Sequence, residues 1–166
     1  MITKKQKEVL DFVKTYSKNK GYAPSLEANQ TMNLFPALSL KAKIGFVKVV
    51  EKGTSISYNR RYVTTKKTCI ASVSIGYADG YFRKLTNNSF VLIKGKKFPV
   101  VGTVCMDQIM IDVGNARVAV GDEVVLIGKN GSKKISAWDI SQAIGTIPYE
   151  VTCAVSQRVP RKYING

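Results

Sequence analysis

Along residues 4–20 apolar positions return every three or four residues: Leu10, Val13 and Tyr16, with Val9 alongside, stand among Lys and Asp. That spacing predicts one amphipathic helix from Lys4 to Lys20, with Gly21 as its C-terminal stop and Pro24 just beyond. From Ala23 to Pro36 the pattern dissolves into Pro, Ser, Asn and Thr, as a connecting segment does. The period then changes to two. Leu38, Leu40, Ala42, Ile44 and Phe46 alternate with polar or small residues, and from Val47 the apolar parity shifts to Val47 and Val49. A phase change beside Gly45 predicts a strand with a β-bulge. Glu51-Lys52-Gly53 is a turn, and further strands are expected at Ile70 to Ile75, Phe90 to Ile93, Phe98 to Val101, Ile109 to Val113, Glu123 to Ile127 and Val151 to Ser156. One short helix interrupts them. Ser136 is its N-cap with Asp139 three residues on, Trp138, Ile140, Ala143 and Ile144 are its apolar contacts, and Gly145 closes it. The pattern is mainly β, a barrel or a sandwich, with an N-terminal helix and one short internal helix.

Composition narrows the chemistry. The chain has 166 residues, 45% of them hydrophobic and 22% charged, enough to bury a core. It contains no histidine, which excludes histidine general acid–base catalysis and histidine-ligated metal within these residues. The three cysteines, Cys69, Cys105 and Cys153, are far apart and form neither a CxxC nor a disulfide framework. No ligand cluster has metal-site spacing, so no metal is expected. The usage fits a reducing, cytoplasmic setting. No apolar run approaches the roughly 18 residues that span a bilayer, and Met1 to Lys20 is charged throughout, unlike a signal peptide. The formal charge is +15. Its 20 Lys and 6 Arg are scattered, with no run longer than a doublet, which reads as a solvated surface more than a nucleic-acid reader.

Three stretches concentrate functional side chains. In Ser57-Tyr58-Asn59-Arg60-Arg61-Tyr62 the positive charge of two arginines would favour the anionic form of a neighbouring phenol, although an exposed tyrosine at a strand end fits the same letters. Ile75-Gly76-Tyr77-Ala78-Asp79-Gly80-Tyr81-Phe82-Arg83 follows an apolar strand, and its glycines permit close backbone approach to a ligand. Val104-Cys105-Met106-Asp107-Gln108 holds a lone thiol without a histidine partner, so a Cys–His nucleophile is excluded.

Order and spacing add more. IGYADGY, then PVVGTVCMDQIMIDV (Pro99 to Val113), GDEVVLIG (Gly121 to Gly128) and GTIPYEVTCAVSQRVPRKY (Gly145 to Tyr163) closely resemble the C-terminal domain of alanine racemase. SISYNRRY (Ser55 to Tyr62) sits where that family has its SYG-type segment, and FPALSLKAKI (Phe35 to Ile44) looks like the first strand of that domain. The SYNR variant is also similar to the serine racemase domains of vancomycin-resistance proteins.

The resemblance implies a small Greek-key-like β-barrel over residues 30–166, with residues 1–29 as helix and connector. It implies a homodimeric enzyme using pyridoxal phosphate (PLP) to racemise alanine, supplying D-alanine for the cell wall. In that family a (β/α)8 barrel carries the cofactor lysine and the partner's C-terminal domain closes the site. By position within its motif, Tyr58 corresponds to the catalytic tyrosine, and Tyr77 and Arg83 to the entrance corridor. Met106 and Asp107 correspond to the substrate pocket, and Tyr149, with Ile147 beside it, to the cofactor phosphate contact. Two departures stand out: Thr103 replaces an Arg found in many relatives, and Asn59 replaces the usual Gly.

A (β/α)8 barrel needs around 250 residues. The expectation is therefore that this chain alone holds no PLP and is inactive, and that its partner is a racemase barrel or a second copy. Residues 1–28 resemble the first helix of LexA-type repressors but stop before a recognition helix, so nucleic acid is not expected as a partner. The alternatives are a serine-racemase-type domain, or a cationic binding or oligomerisation module without catalysis.

Overall fold

The computed structural model describes residues 4–20 and 36–164. Its contacts divide the chain into two units, Met1–Ala37 and Leu38–Gly166. The first contains α1 (Lys4–Lys20), the predicted helix, with the rings of Phe12 and Tyr16 5.9 Å apart one turn from each other. Gly21, Pro24, the expected connector and the boundary near residue 30 lie outside the described residues.

The second unit is built on nine strands: β1 (Leu40–Val50), β2 (Ser55–Ile56), β3 (Tyr62–Val63), β4 (Thr68–Val73), β5 (Phe90–Ile93), β6 (Lys96–Val101), β7 (Ile109–Gly114), β8 (Glu123–Asn130) and β9 (Lys133–Ile135). Six of them close into an antiparallel barrel in the order β1-β4-β7-β6-β5-β8, with β8 returning to β1 and β9 extending from β8. The run β8-β5-β6-β7 places the fourth strand beside the first of three consecutive ones, which is a Greek key.

Closure depends on β1. Its first residues, Leu40 to Lys43, pair with β8, and from Ile44 onward it pairs with β4. The register slips between Ile44 and Phe46, so the extra residue is Gly45. The parity break therefore marks the point where one strand changes partner and bends. Ala71, Val73, Val91, Leu92, Ile93, Ile109, Ile111, Val124, Val125 and Leu126 are fully buried, on both faces of β5 and β8.

Two helices follow. In α2 (Ala137–Ile144) Ser136 accepts from the amide of Asp139, the Asp139 carboxylate accepts from the Ser136 amide, and Gly145 ends the helix in the left-handed conformation. The stretch expected as a strand at Val151 to Ser156 instead continues from a helix, α3 (Pro148–Cys153). Two internal helices replace the single one expected. Val151 lies within α3 and Val155 two residues beyond its end, and they alternate with Cys153 as a strand's residues would. Those two are buried while Cys153 is exposed, and Pro148 sits in the first turn, where its missing N–H costs nothing.

Candidate active site

At one end of the barrel three loops converge. The first joins β2 to β3 and carries Tyr58 in a single 3-10 turn, Tyr58–Arg60. Ile56 anchors the hairpin in a small cluster with Ile70 and Val101. On β3 the Tyr62 hydroxyl donates to Asp112 Oδ2 on β7 at 2.9 Å, and Asp112 also accepts from Thr68 Oγ1 at 2.5 Å and from the Gly114 amide at 2.9 Å. Burial and the Asp112 carboxylate both raise the Tyr62 phenol above its ordinary value. They raise the Cys69 thiol in the same way. Between the two short strands Ser57, Asn59 and Arg60 adopt φ of 64°, 60° and 49°. That left-handed backbone costs a non-glycine residue about 1–2 kcal/mol each. Asn is among the side chains that tolerate it best, which suits Asn59 to this turn.

The second loop holds the bent hairpin in place. Thr103, which is buried, donates its hydroxyl to the Tyr58 carbonyl at 2.9 Å, and Ser57 Oγ donates to the Thr103 carbonyl at 2.7 Å. Ser57 Oγ and Cys105 Sγ lie 3.4 Å apart. The amide of Gly102 donates to Asn87 Oδ1 at 2.6 Å, Asn87 Nδ2 donates to the Arg61 carbonyl at 3.0 Å, and Thr86 Oγ1 accepts from the Val104 amide at 3.1 Å.

The third loop is Gly76 to Gly80. A Cβ on Gly76 would lie 2.3 Å from the carbonyl oxygens of both Cys105 and Met106, so the close approach requires glycine. That approach lets the amides of Tyr77 and Ala78 donate to those same carbonyls, each at 3.0 Å. Asp79 turns back so that its Oδ2 accepts from the Gly76 amide at 2.9 Å, closing the turn Tyr77–Asp79.

Together the loops enclose an open concavity of about 850 Å³. Tyr58, Tyr77, Arg83, Met106 and Asp107 all line it. Arg60 and Arg61 do not; both are exposed. Ile147 and Tyr149 are not brought into this concavity. They lie at the start of α3 and are 59% and 63% exposed, available to a different surface. The pocket also draws on residues that sequence reading missed. Asn87 and Thr86 brace it from behind, and Arg158 pairs with both Asp79 (3.5 Å) and Asp107 (2.6 Å). The hydrogen bond to Asp107 and the charge of Asp79 raise the Arg158 guanidinium above its ordinary value. Among the described residues there is no group of three or more His, Cys, Asp or Glu placed to hold a metal, and no helix long and apolar enough to cross a membrane.

A closed Greek-key barrel with a phenol- and guanidinium-lined pocket at one end has direct relatives. The family described as "Alanine racemase, C-terminal domain" matches residues 37–163, and the chain belongs to that family. An alanine racemase of Halothermothrix orenii is 50% identical over 157 residues, 94% of this chain and 41% of the relative. A match of that extent takes in part of α1, ahead of the family domain. The solved alanine racemase of Bacillus anthracis, determined with bound L-Ala-P, is 44% identical with a TM-score of 0.80 over 87% of this chain and 38% of its own. The alanine racemase of Bartonella henselae, solved with covalently bound pyridoxal phosphate, is 31% identical with a TM-score of 0.71 over 76% of this chain and 34% of its own. The chain thus spans about two fifths of the length of the curated relatives it matches.

The pocket's donor set bears on PLP directly. The phenols of Tyr58 and Tyr77, the Arg83 guanidinium and the Gln108 amide suit an anionic amino acid or cofactor edge. No lysine is among the lining residues, so this concavity does not itself supply a covalent anchor for an aldehyde cofactor.

Proposed function

We propose that this domain supplies the closing wall of an alanine racemase active site, in a homodimer or with a racemase barrel as partner, and that the chain by itself does not racemise. The observation that supports this reading is the convergence of Tyr58, Tyr77, Arg83, Met106 and Asp107, from separate motifs, on one concavity. PLP, when bound by the partner barrel, withdraws electrons from the substrate and lowers the barrier to ionising its Cα–H bond. The work of this chain is proton transfer and enclosure. Tyr58 exchanges a proton with Cα from one face of the substrate, and a base of the barrel does so from the other. Its bent loop, fixed by Thr103 and Asp112, aims the phenol and limits its motion. Tyr77 and Arg83 form the entrance, where a phenol and a guanidinium draw in and orient a carboxylate. Met106 fills the wall beside a small side chain, and Asp107 sets the polarity of the rim.

Tyr149 and Ile147 face a second surface. We assign Tyr149 a donor hydrogen bond to the cofactor phosphate in the other active site of the dimer, with Ile147 packing beside it. The product would be D-alanine for cell-wall synthesis.

The test is a chimera in which residues 37–163 replace the matching segment of the Halothermothrix orenii racemase. Racemisation of L-alanine by the chimera, lost in its Tyr58→Phe variant, supports the reading. A folded, PLP-containing chimera without activity, or full activity in Tyr58→Phe, refutes it.

A further inference from the structure

Two walls of the pocket come from segments nearly 30 positions apart in sequence. Tyr77 belongs to the turn Tyr77–Asp79, while Met106 and Asp107 belong to the loop before β7. The two backbone hydrogen bonds through the Cys105 and Met106 carbonyls join them at their base. Further out, among the described residues, they are connected through charged groups. The Arg158 Nη2 donates to Asp107 Oδ1 at 2.6 Å, and its Nε lies 3.5 Å from Asp79 Oδ1.

Asp79 and the segment carrying Arg158 are each set in place by other contacts. Asp79 is already oriented, because its Oδ2 accepts the Gly76 amide. The segment carrying Arg158 is strapped over the same turn. The Ser156 amide donates to the Asp79 carbonyl at 3.1 Å, and the backbone at Ala154 packs so tightly on Gly80 that a Cβ there would lie 2.2 Å from the Ala154 carbonyl. Arg161 then fixes the strap by donating to the carbonyls of Val155 and Val159, both at 2.7 Å. Asp107 differs, since among the described residues Arg158 is its one ion-pair partner. A guanidinium presents its N–H groups as a rigid planar fork and so addresses two carboxylates at once, which an ammonium does less well.

We propose that Arg158 is a positioning residue: it fixes the distance between the Tyr77 wall and the Met106–Asp107 wall of the pocket. Its effect on catalysis rests on the racemase reading, whereas its effect on the loops does not.

The experiment is amide hydrogen exchange on the 166-residue chain, comparing wild type, Arg158→Gln and Arg158→Lys. Arg158→Gln is expected to speed exchange several-fold at the amides of Tyr77 and Ala78, with those of Ala71 and Ile111 in the barrel unchanged; Arg158→Lys falls between. Unchanged exchange at Tyr77 and Ala78 overturns the proposal, and so does equal acceleration in the barrel. If Arg158→Gln does not fold, Arg158→Lys decides by the same comparison. In the racemase chimera, Arg158→Gln is expected to raise the KM for alanine several-fold with little change in kcat, and Arg158→Lys to restore part of it. A fall in kcat alone overturns the positioning role. An inactive parent chimera overturns the racemase reading and leaves the exchange result standing.

Discussion

Replacing Gly76 with alanine tests how the pocket is assembled. The added Cβ would meet the carbonyl oxygens of Cys105 and Met106 at 2.3 Å and the Met106 carbonyl carbon at 2.4 Å. All three are backbone atoms, so no side chain can swing aside. Restoring ordinary contact, roughly 3.4 Å or more, requires the two loops to part by about 1 Å. At that separation the Tyr77–Cys105 and Ala78–Met106 hydrogen bonds, each 3.0 Å, pass beyond bonding range. Two lost hydrogen bonds cost about 1 kcal/mol each, and residual overpacking adds about 1–3 kcal/mol. The expected loss is therefore about 3–5 kcal/mol, a large part of the 5–15 kcal/mol typical of a domain. Gly53→Ala is the contrast. Gly53 has φ of 84° and nothing within 4 Å of a Cβ, so only left-handed strain of about 1–2 kcal/mol applies. Urea unfolding followed by the fluorescence of Trp138, the single tryptophan, reads both variants. A Gly76→Ala midpoint equal to that of wild type, or above that of Gly53→Ala, would refute the argument.

Other expectations follow from the same contacts. Burial raises the Tyr81 phenol, and burial with Asp112 raises Tyr62 and Cys69. These groups keep their protons in the folded chain after the unfolded chain has lost them, so stability should fall as pH rises past about 9 and on through 10, and Tyr62→Phe should reduce that fall in pH-dependent unfolding. Thr103→Val removes the donor to the Tyr58 carbonyl and is expected to cost about 1–2 kcal/mol in urea and to lower racemisation by the chimera. Asp112→Asn gives up part of a three-donor acceptor and is expected to cost about 1–3 kcal/mol, with Tyr62 titrating nearer its ordinary value by ultraviolet absorbance.

Several of these features were readable without coordinates because they are local. The parity break at Gly45 marks the bulge in β1, and Ser136, Asp139 and Gly145 mark both ends of α2. Tyr58, Tyr77, Arg83, Met106 and Asp107 were grouped through motif resemblance, and the fold does bring them to one concavity. Other features were not local. Val151, Cys153 and Val155 fit a strand period although α3 ends at Cys153, and Pro148 in its first turn is the signal that opposes a strand. The two-residue strands β2 and β3 are too short to show any period. Arg158 reads as one more cation in a basic tail, because Asp79 and Asp107 reach it only through the folded chain. Asn87 likewise acts through the backbone of distant loops, which no side-chain pattern reveals.

The most direct test of the central claim is uptake of solvent deuterium at Cα by the racemase chimera, starting separately from L- and D-alanine. If Tyr58 serves one face and a barrel base the other, wild type takes up deuterium from both enantiomers. Tyr58→Phe should then lose racemisation while still exchanging one enantiomer and not the other. Retained racemisation in Tyr58→Phe, or equal loss of exchange from both enantiomers, would contradict the assignment of Tyr58 as the base of a single face.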